Sequence, residues 1–146
     1  MTASREDKKN NVGDVVVPNS FLVAEAKDAI KRHFKKNVHH VACVLVCSGK
    51  RYIGLHLDND GFDICAEPVA ISDALKHGET DFAKMVSVFW SGTKGEEPQI
   101  IRPCGNCRQI ISEHIPNVEV VIGEDAGKYI SKLGMDLMPD PYRKPT

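Results

Sequence analysis

The sequence predicts an α/β fold in a single domain, and three observations carry that prediction. Apolar periodicity and turn signals give the element order helix, strand, strand, helix, strand, helix, strand. The run Val41–Cys47 is apolar almost throughout, as a strand is when both faces of its sheet are covered. At 146 residues the chain is long enough for one core and too short for two comfortable ones.

Residues 1–18 mix charge, Asn and Gly, and Val15-Val16-Val17 runs into Pro18. They read as a flexible N-terminal tail, with 19–146 as the folded domain. Asn19 or Ser20 is the expected cap of a helix whose apolar positions Phe21, Leu22, Ala26, Ala29, Ile30 and Phe34 recur at steps of three and four. Its other face carries Lys27, Lys31, Arg32, Lys35 and Lys36, and reads as solvated rather than as a nucleic-acid surface.

Val41–Cys47 turns at Ser48-Gly49-Lys50 and returns over Arg51–Leu57, a hairpin signal. Cys43 and Cys47 share one face of the first strand and read as small buried hydrophobes rather than metal ligands. Asp58-Asn59-Asp60-Gly61 breaks the second strand. Cys65 then begins a helix through about Lys76, with Pro68 tolerated in its first turn. After His77-Gly78, Met85–Trp90 is a buried strand, with Phe89 and Trp90 expected in the core. Ser91–Gln99 is a polar loop, Cys104 opens a helix that stops before Pro116, and Val118–Ile122 is a short strand. Tyr129–Leu133 reads as a helical turn.

Charge and cysteine usage narrow the function. With 19 basic and 20 acidic residues the net charge is -1, so no global basic field attracts a polyanion, and a small, weakly charged substrate is expected rather than DNA or RNA. No apolar run approaches the roughly 20 residues of a membrane span, and Met1–Val12 lacks the apolar core of a secretory signal. Five cysteines, three of them needed as thiolates, argue for a reducing, cytoplasmic compartment.

Those three form the most informative pattern in the chain. Cys65 is followed two positions later by Glu67, and Cys104 and Cys107 form a Cys-x-x-Cys 39 positions after Cys65. A catalytic zinc takes three protein ligands and keeps its fourth tetrahedral position for water, whereas a structural site closes with a fourth ligand. Three thiolates donate more charge than three imidazoles and blunt the acidification of that water, so a neighbouring carboxylate, Glu67, is needed to carry protons. A zinc ribbon would need a second Cys-x-x-Cys, and a redox pair would leave Cys65 and Glu67 without a role. Both motifs fall at helix starts, where each macrodipole offsets part of the thiolate charge. Arg108 is either a further counter-charge or part of a surface ion pair.

The motifs Cys65-Ala66-Glu67 and Pro103-Cys104-Gly105-Asn106-Cys107-Arg108-Gln109 resemble those of the zinc-dependent cytidine deaminase family in its three-cysteine branch, and the second motif is similar to that of the blasticidin S deaminase members. The resemblance covers about Val41 to Tyr142. It implies a three-layer α/β/α sandwich with a mixed sheet of about five strands, a homotetramer, and hydrolytic loss of ammonia from C4 of a cytosine nucleoside. It further implies that Cys65, Cys104 and Cys107 hold Zn2+ and that Glu67 shuttles protons and meets the ring at N3. The Ala66 amide would lie near O2, and the carbonyls of Arg102 and Pro103 would receive the amino group. The ending Leu137–Tyr142 is similar to a family tail that reaches a neighbouring active site.

The chain departs from the family at several points. Where the family has Gly-x-Asn-x-Glu for the ribose, this chain has Gly54-Leu55-His56-Leu57-Asp58, leaving His56 and Asp58 as sugar ligands or His56 as a structural residue. The nine positions from His56 to Cys65 are fewer than in ordinary cytidine deaminases and similar to the blasticidin branch. Pro68 replaces an Arg that neutralises thiolate charge. His39 stands where an aromatic often stacks on the base, and reads either as that platform or as a strand-end surface residue. Within the same chemistry the alternative substrates are blasticidin S or another aminopyrimidine. A polynucleotide deaminase and a noncatalytic zinc module are the readings from other classes.

Overall fold

The computed structural model describes residues 16–146. The expected tail lies outside the described residues up to residue 15, and Val17, within its last part, is buried in the core. The elements are α1 (Asn19–His33), β1 (Val41–Cys47), β2 (Lys50–Leu55), β3 (Leu57–Asn59), β4 (Phe62–Ile64), α2 (Ala66–Lys76), β5 (Phe82–Phe89), β6 (Gln99–Ile101), α3 (Gly105–His114), β7 (Glu119–Asp125) and β8 (Lys128–Leu133), followed by a 3₁₀ turn, Gly134–Leu137.

The main sheet runs β2-β1-β5-β7-β8, with β6 added to β5. It is mixed: β5 and β7 are parallel and the other pairs antiparallel. Alternation along β1 sorts its side chains between two apolar layers. Cys43, Leu45 and Cys47 pack with Ala66, Ala70, Ile71 and Ala74 of α2 and Ile111 of α3. Ala42, Val44 and Val46 pack with Leu22, Val23, Ala26, Ala29 and Ile30 of α1. Covering both faces explains why β1 is apolar throughout, and it produces the expected three-layer sandwich.

Several local expectations are corrected. Tyr129–Leu133 belongs to strand β8 and not to a helical turn: Ala126 and Gly127, both at positive φ, make the two-residue hairpin that returns β8 along β7. Ser48-Gly49 makes the same kind of turn between β1 and β2. The predicted strand Arg51–Leu57 stops at Leu55, and the acidic break after it is a small separate hairpin, β3 with β4. Strand β5 starts at Phe82 rather than Met85, and the end of the polar loop at Gln99 is already strand β6. Pro18 occupies the N-cap of α1 with no side-chain cap, and the Asn19 side chain instead accepts a hydrogen bond from Lys84 Nζ at 2.8 Å. Trp90 packs against the α1 layer, while Phe89 is 41% exposed and stacks on His40.

Two features of this frame place the chemistry. β7 pairs with Lys84–Val86 of β5, and β6 takes over the pairing at Ser87–Phe89, so the chain leaves the sheet at Ile101 and enters α3 through Arg102-Pro103-Cys104. On β2, Gly54 lies against the start of α2, where an added Cβ would run into the Ala66 carbonyl oxygen and come within 2.7 Å of Ala70 N. The missing side chain lets α2 settle onto the sheet.

Candidate active site

Cys65 and Cys104 occupy the N-cap positions of α2 and α3, both with extended backbone, and Cys107 lies within the first turn of α3. Pro68 falls in the first turn of α2, where its missing N–H removes no helical bond. The three sulfurs all lie within 4.8 Å of one another, with Cys65 Sγ and Cys104 Sγ 3.6 Å apart. Tetrahedral zinc with Zn–S bonds of about 2.3 Å sets its sulfurs about 3.8 Å apart, so the cluster fits that ion. Among the described residues no fourth His, Cys or acidic donor joins the cluster.

The thiols differ in how readily they ionise. Burial pushes Cys107 well up, with the Glu67 carboxyl and the Cys104 thiol adding to the effect. Burial also raises Cys65, as does its contact with Cys104. For Cys104 burial acts in the same direction, but hydrogen bonds from the Cys107 and Asn106 backbone N–H groups and from the neighbouring thiols outweigh it and hold this thiol below the usual range. A divalent cation supplies the positive charge that the other two lack.

Glu67, one residue into α2, is 3% exposed. Its Oε1 accepts a hydrogen bond from Ser87 Oγ at 2.9 Å, and its Oε2 accepts one from Cys107 Sγ at 3.5 Å. A buried carboxyl is costly unless its oxygens are partnered, and here one partner comes from the sheet and the other from the thiol cluster. Beside it opens a cleft of about 100 Å³ lined by Val41, His56, Cys65, Ala66, Glu67, Ile101, Arg102 and Cys104. Sheet, two helix starts and carboxyl thus converge on one small space.

The profile of the cytidine and deoxycytidylate deaminase zinc-binding region matches residues 17–124. The chain belongs to the cytidine deaminase family. It is a hydrolytic deaminase whose Cys65, Cys104 and Cys107 form a three-cysteine zinc site. It is 30% identical over 128 residues to a blasticidin-S deaminase of Bacillus cereus, a match covering 84% of this chain and 91% of that protein. Cytidine deaminase from Burkholderia pseudomallei superposes with a TM-score of 0.68 at 31% identity, covering 86% of this chain and 100% of that one. The enzyme from Bacillus anthracis gives 0.69 at 20% identity, covering 84% and 88%, a likeness of fold.

Within this cytidine deaminase frame, Ala66, His56 and Arg102 line the cleft. The Pro103 carbonyl accepts Arg108 Nε at 2.8 Å, and Arg108 Nη1 donates to the Leu137 carbonyl at 3.1 Å. Arg108 ties the start of α3 to the C-terminal segment through these carbonyls rather than through a surface ion pair. His39 and Asp58 do not line the cleft. His39 Nδ1–H donates to the His56 carbonyl at 2.7 Å, holding the end of β2, and Asp58 is exposed on β3. The carboxylate closest to the His56 ring is that of Asp63, 3.6 Å from Nε2.

Asp63 and Ser87 carry no motif. Their only sequence signals are an acid between two apolar residues of a short strand and a lone hydroxyl in an apolar run. Cys43 and Cys47 are fully buried and separate from the metal cluster, as small hydrophobes are.

Proposed function

We propose that this chain converts the 4-amino group of a free cytosine nucleoside, cytidine, deoxycytidine or a close analogue, to a carbonyl with release of ammonia. The carrying observation is a buried carboxyl, Glu67, set against a three-thiol cluster at the edge of a cleft. Zinc held by Cys65, Cys104 and Cys107 supplies Lewis acidity that makes water nucleophilic near neutral pH. Glu67 takes one proton from the attacking water and delivers it to ring N3, then takes the second from the hydroxyl left on C4 and hands it to the departing amine, so C4 gains a carbonyl oxygen and ammonia is lost. In this reading the backbone N–H of Ala66 and the carbonyl of Arg102 hold the ring, which is supported by both residues lining the cleft. The Pro103 carbonyl shares its acceptor capacity with Arg108.

His56 is the assigned contact for the rest of the substrate. Its Nδ1 is buried without a hydrogen-bond partner, and its ring lies beside the cleft. Unpaired buried polar atoms are costly, and a substrate hydroxyl would relieve that cost. Asp58 and His39 act behind it, Asp58 through its pairing with Asp63 on the small hairpin and His39 through the His56 carbonyl.

The same reading includes a cytoplasmic homotetramer. The cleft is smaller than the roughly 300–1,000 Å³ of ordinary ligand sites, which supports walls contributed by neighbouring copies. An apolar groove beside α2, containing Ile53, Ile64, Pro68 and Val69, offers a contact surface. All five cysteines are free, in keeping with a reducing compartment. No helix among the described residues is long and apolar enough to cross a membrane.

A second substrate, blasticidin S or another aminopyrimidine, is favoured by the pairing of His56, just after β2, with Asp63 of β4 and by the similarity to the Bacillus cereus protein. A polynucleotide substrate fits poorly with a net charge of -1, and a noncatalytic zinc module would have no use for a buried Glu67. The deciding experiment is ammonia release from cytidine, deoxycytidine, cytosine, blasticidin S and single-stranded DNA. Release from the nucleosides is expected. Release from DNA alone would overturn the free-substrate reading.

A further inference from the structure

We infer that Ser87 is a positioning residue for the reaction, fixing the rotation of the Glu67 carboxyl so that one oxygen is committed to the sheet and the other faces the metal-ligand cluster. Ser87 stands on β5 in register with Cys43 of β1 and with Ile101 of β6. Its neighbours on β5, Met85, Val86 and Val88, are fully buried and apolar, yet Ser87 is 3% exposed with a hydroxyl. A buried hydroxyl without a partner costs free energy that an alanine at the same site would avoid.

Its partner is Glu67 Oε1 at 2.9 Å, which leaves Oε2 directed toward Cys107 Sγ at 3.5 Å. A carboxyl on a flexible side chain has several rotations about its last bond, and proton transfer needs one of them. The hydroxyl of Ser87 selects that one. Cys43, opposite Ser87 in the sheet, is fully buried, and its thiol is a second hydrogen-bond neighbour of the same hydroxyl, so the group is held from both sides.

The inference rests on Glu67 as the proton carrier, and its test separates the two claims. Ser87→Ala, prepared with zinc, should lower kcat about tenfold to a hundredfold with KM within about twofold, because the substrate is still bound while the acid is misaimed. Zinc content should stay at one per chain, and Ser87→Thr, which keeps the hydroxyl, should recover most of the lost kcat. In the same zinc-loaded proteins, the infrared carboxyl band isolated as wild type minus Glu67→Gln should shift in Ser87→Ala and return in Ser87→Thr, giving a readout independent of turnover. An unchanged kcat or an unmoved band in a folded Ser87→Ala protein would overturn the inference. So would a loss that follows zinc content and is not recovered by Thr. If Ser87→Ala does not fold, the Thr variant still decides: wild-type kcat and band position support the role of the hydroxyl, and their loss with zinc retained ends it. Normal turnover in Glu67→Gln would instead remove the proton-carrier assignment itself.

Discussion

Gly54 of β2 lies directly beneath Ala66 of α2, so close that no side chain fits between strand and helix. Ala66 sits between Cys65 and Glu67, so this contact sets the height of a zinc ligand and of the acid above the sheet together. Gly54→Ala would push its Cβ into the Ala66 carbonyl. The expected outcome is a loss of about 2–3 kcal/mol in urea unfolding, with reduced zinc content in the surviving folded protein. Wild-type stability and zinc content would show that α2 is free to shift.

Replacing Glu67 with Gln preserves size and the contact with Ser87 while removing the capacity to carry a proton. Zinc should be retained, and kcat should fall by at least about a hundredfold. The measurement is steady-state ammonia release alongside metal analysis.

Cys104→Ala and Cys43→Ala remove the same atom from different settings. Cys104→Ala should release the metal and destabilise the fold, because ion binding and folding are linked. Cys43→Ala should keep one zinc per chain and cost about 1 kcal/mol of packing. Equal metal loss from both would mean that the ligands have been assigned to the wrong sulfurs.

His56→Ala should lower kcat/KM for cytidine by about tenfold, one hydrogen bond's worth, and leave the rate on free cytosine, which has no sugar, within about twofold. An equal effect on both substrates would place His56 in the scaffold and not in recognition.

Burial, helped by the Glu79 and Asp81 carboxyls, pushes the Cys47 thiol up from 9.0 to about 12. The unfolded chain therefore releases this proton first as pH rises. Its stabilising contribution is complete below about pH 9 and is lost progressively between about pH 9 and 12. Cys47→Val should flatten that part of the alkaline unfolding curve relative to wild type. Parallel curves for the two proteins would show that Cys47 does not carry it.

The metal ligands were legible because zinc imposes residue types and short spacings that survive in a linear chain: Cys-x-Glu at one helix start and Cys-x-x-Cys at another. β1 was legible because full burial on two faces leaves an unbroken apolar run. β8 was not. It is an edge strand with most residues at least partly exposed, so its composition carries little pressure from the core, and its identity comes from pairing with β7. The hairpin β3–β4 is exposed throughout and read as a break for the same reason.

The sequence by itself determined the chemistry of the site: three sulfur donors, one acid, and the helix starts that hold them, because ligand number and local capping are properties of short segments. Only the tertiary structure decided what surrounds them. It set Ser87 against Glu67 from 20 positions away, moved Arg108 onto backbone carbonyls, and put Asp63 rather than Asp58 beside His56. Those contacts depend on strand register and on how closely α2 approaches the sheet, and both are fixed by packing across the whole domain.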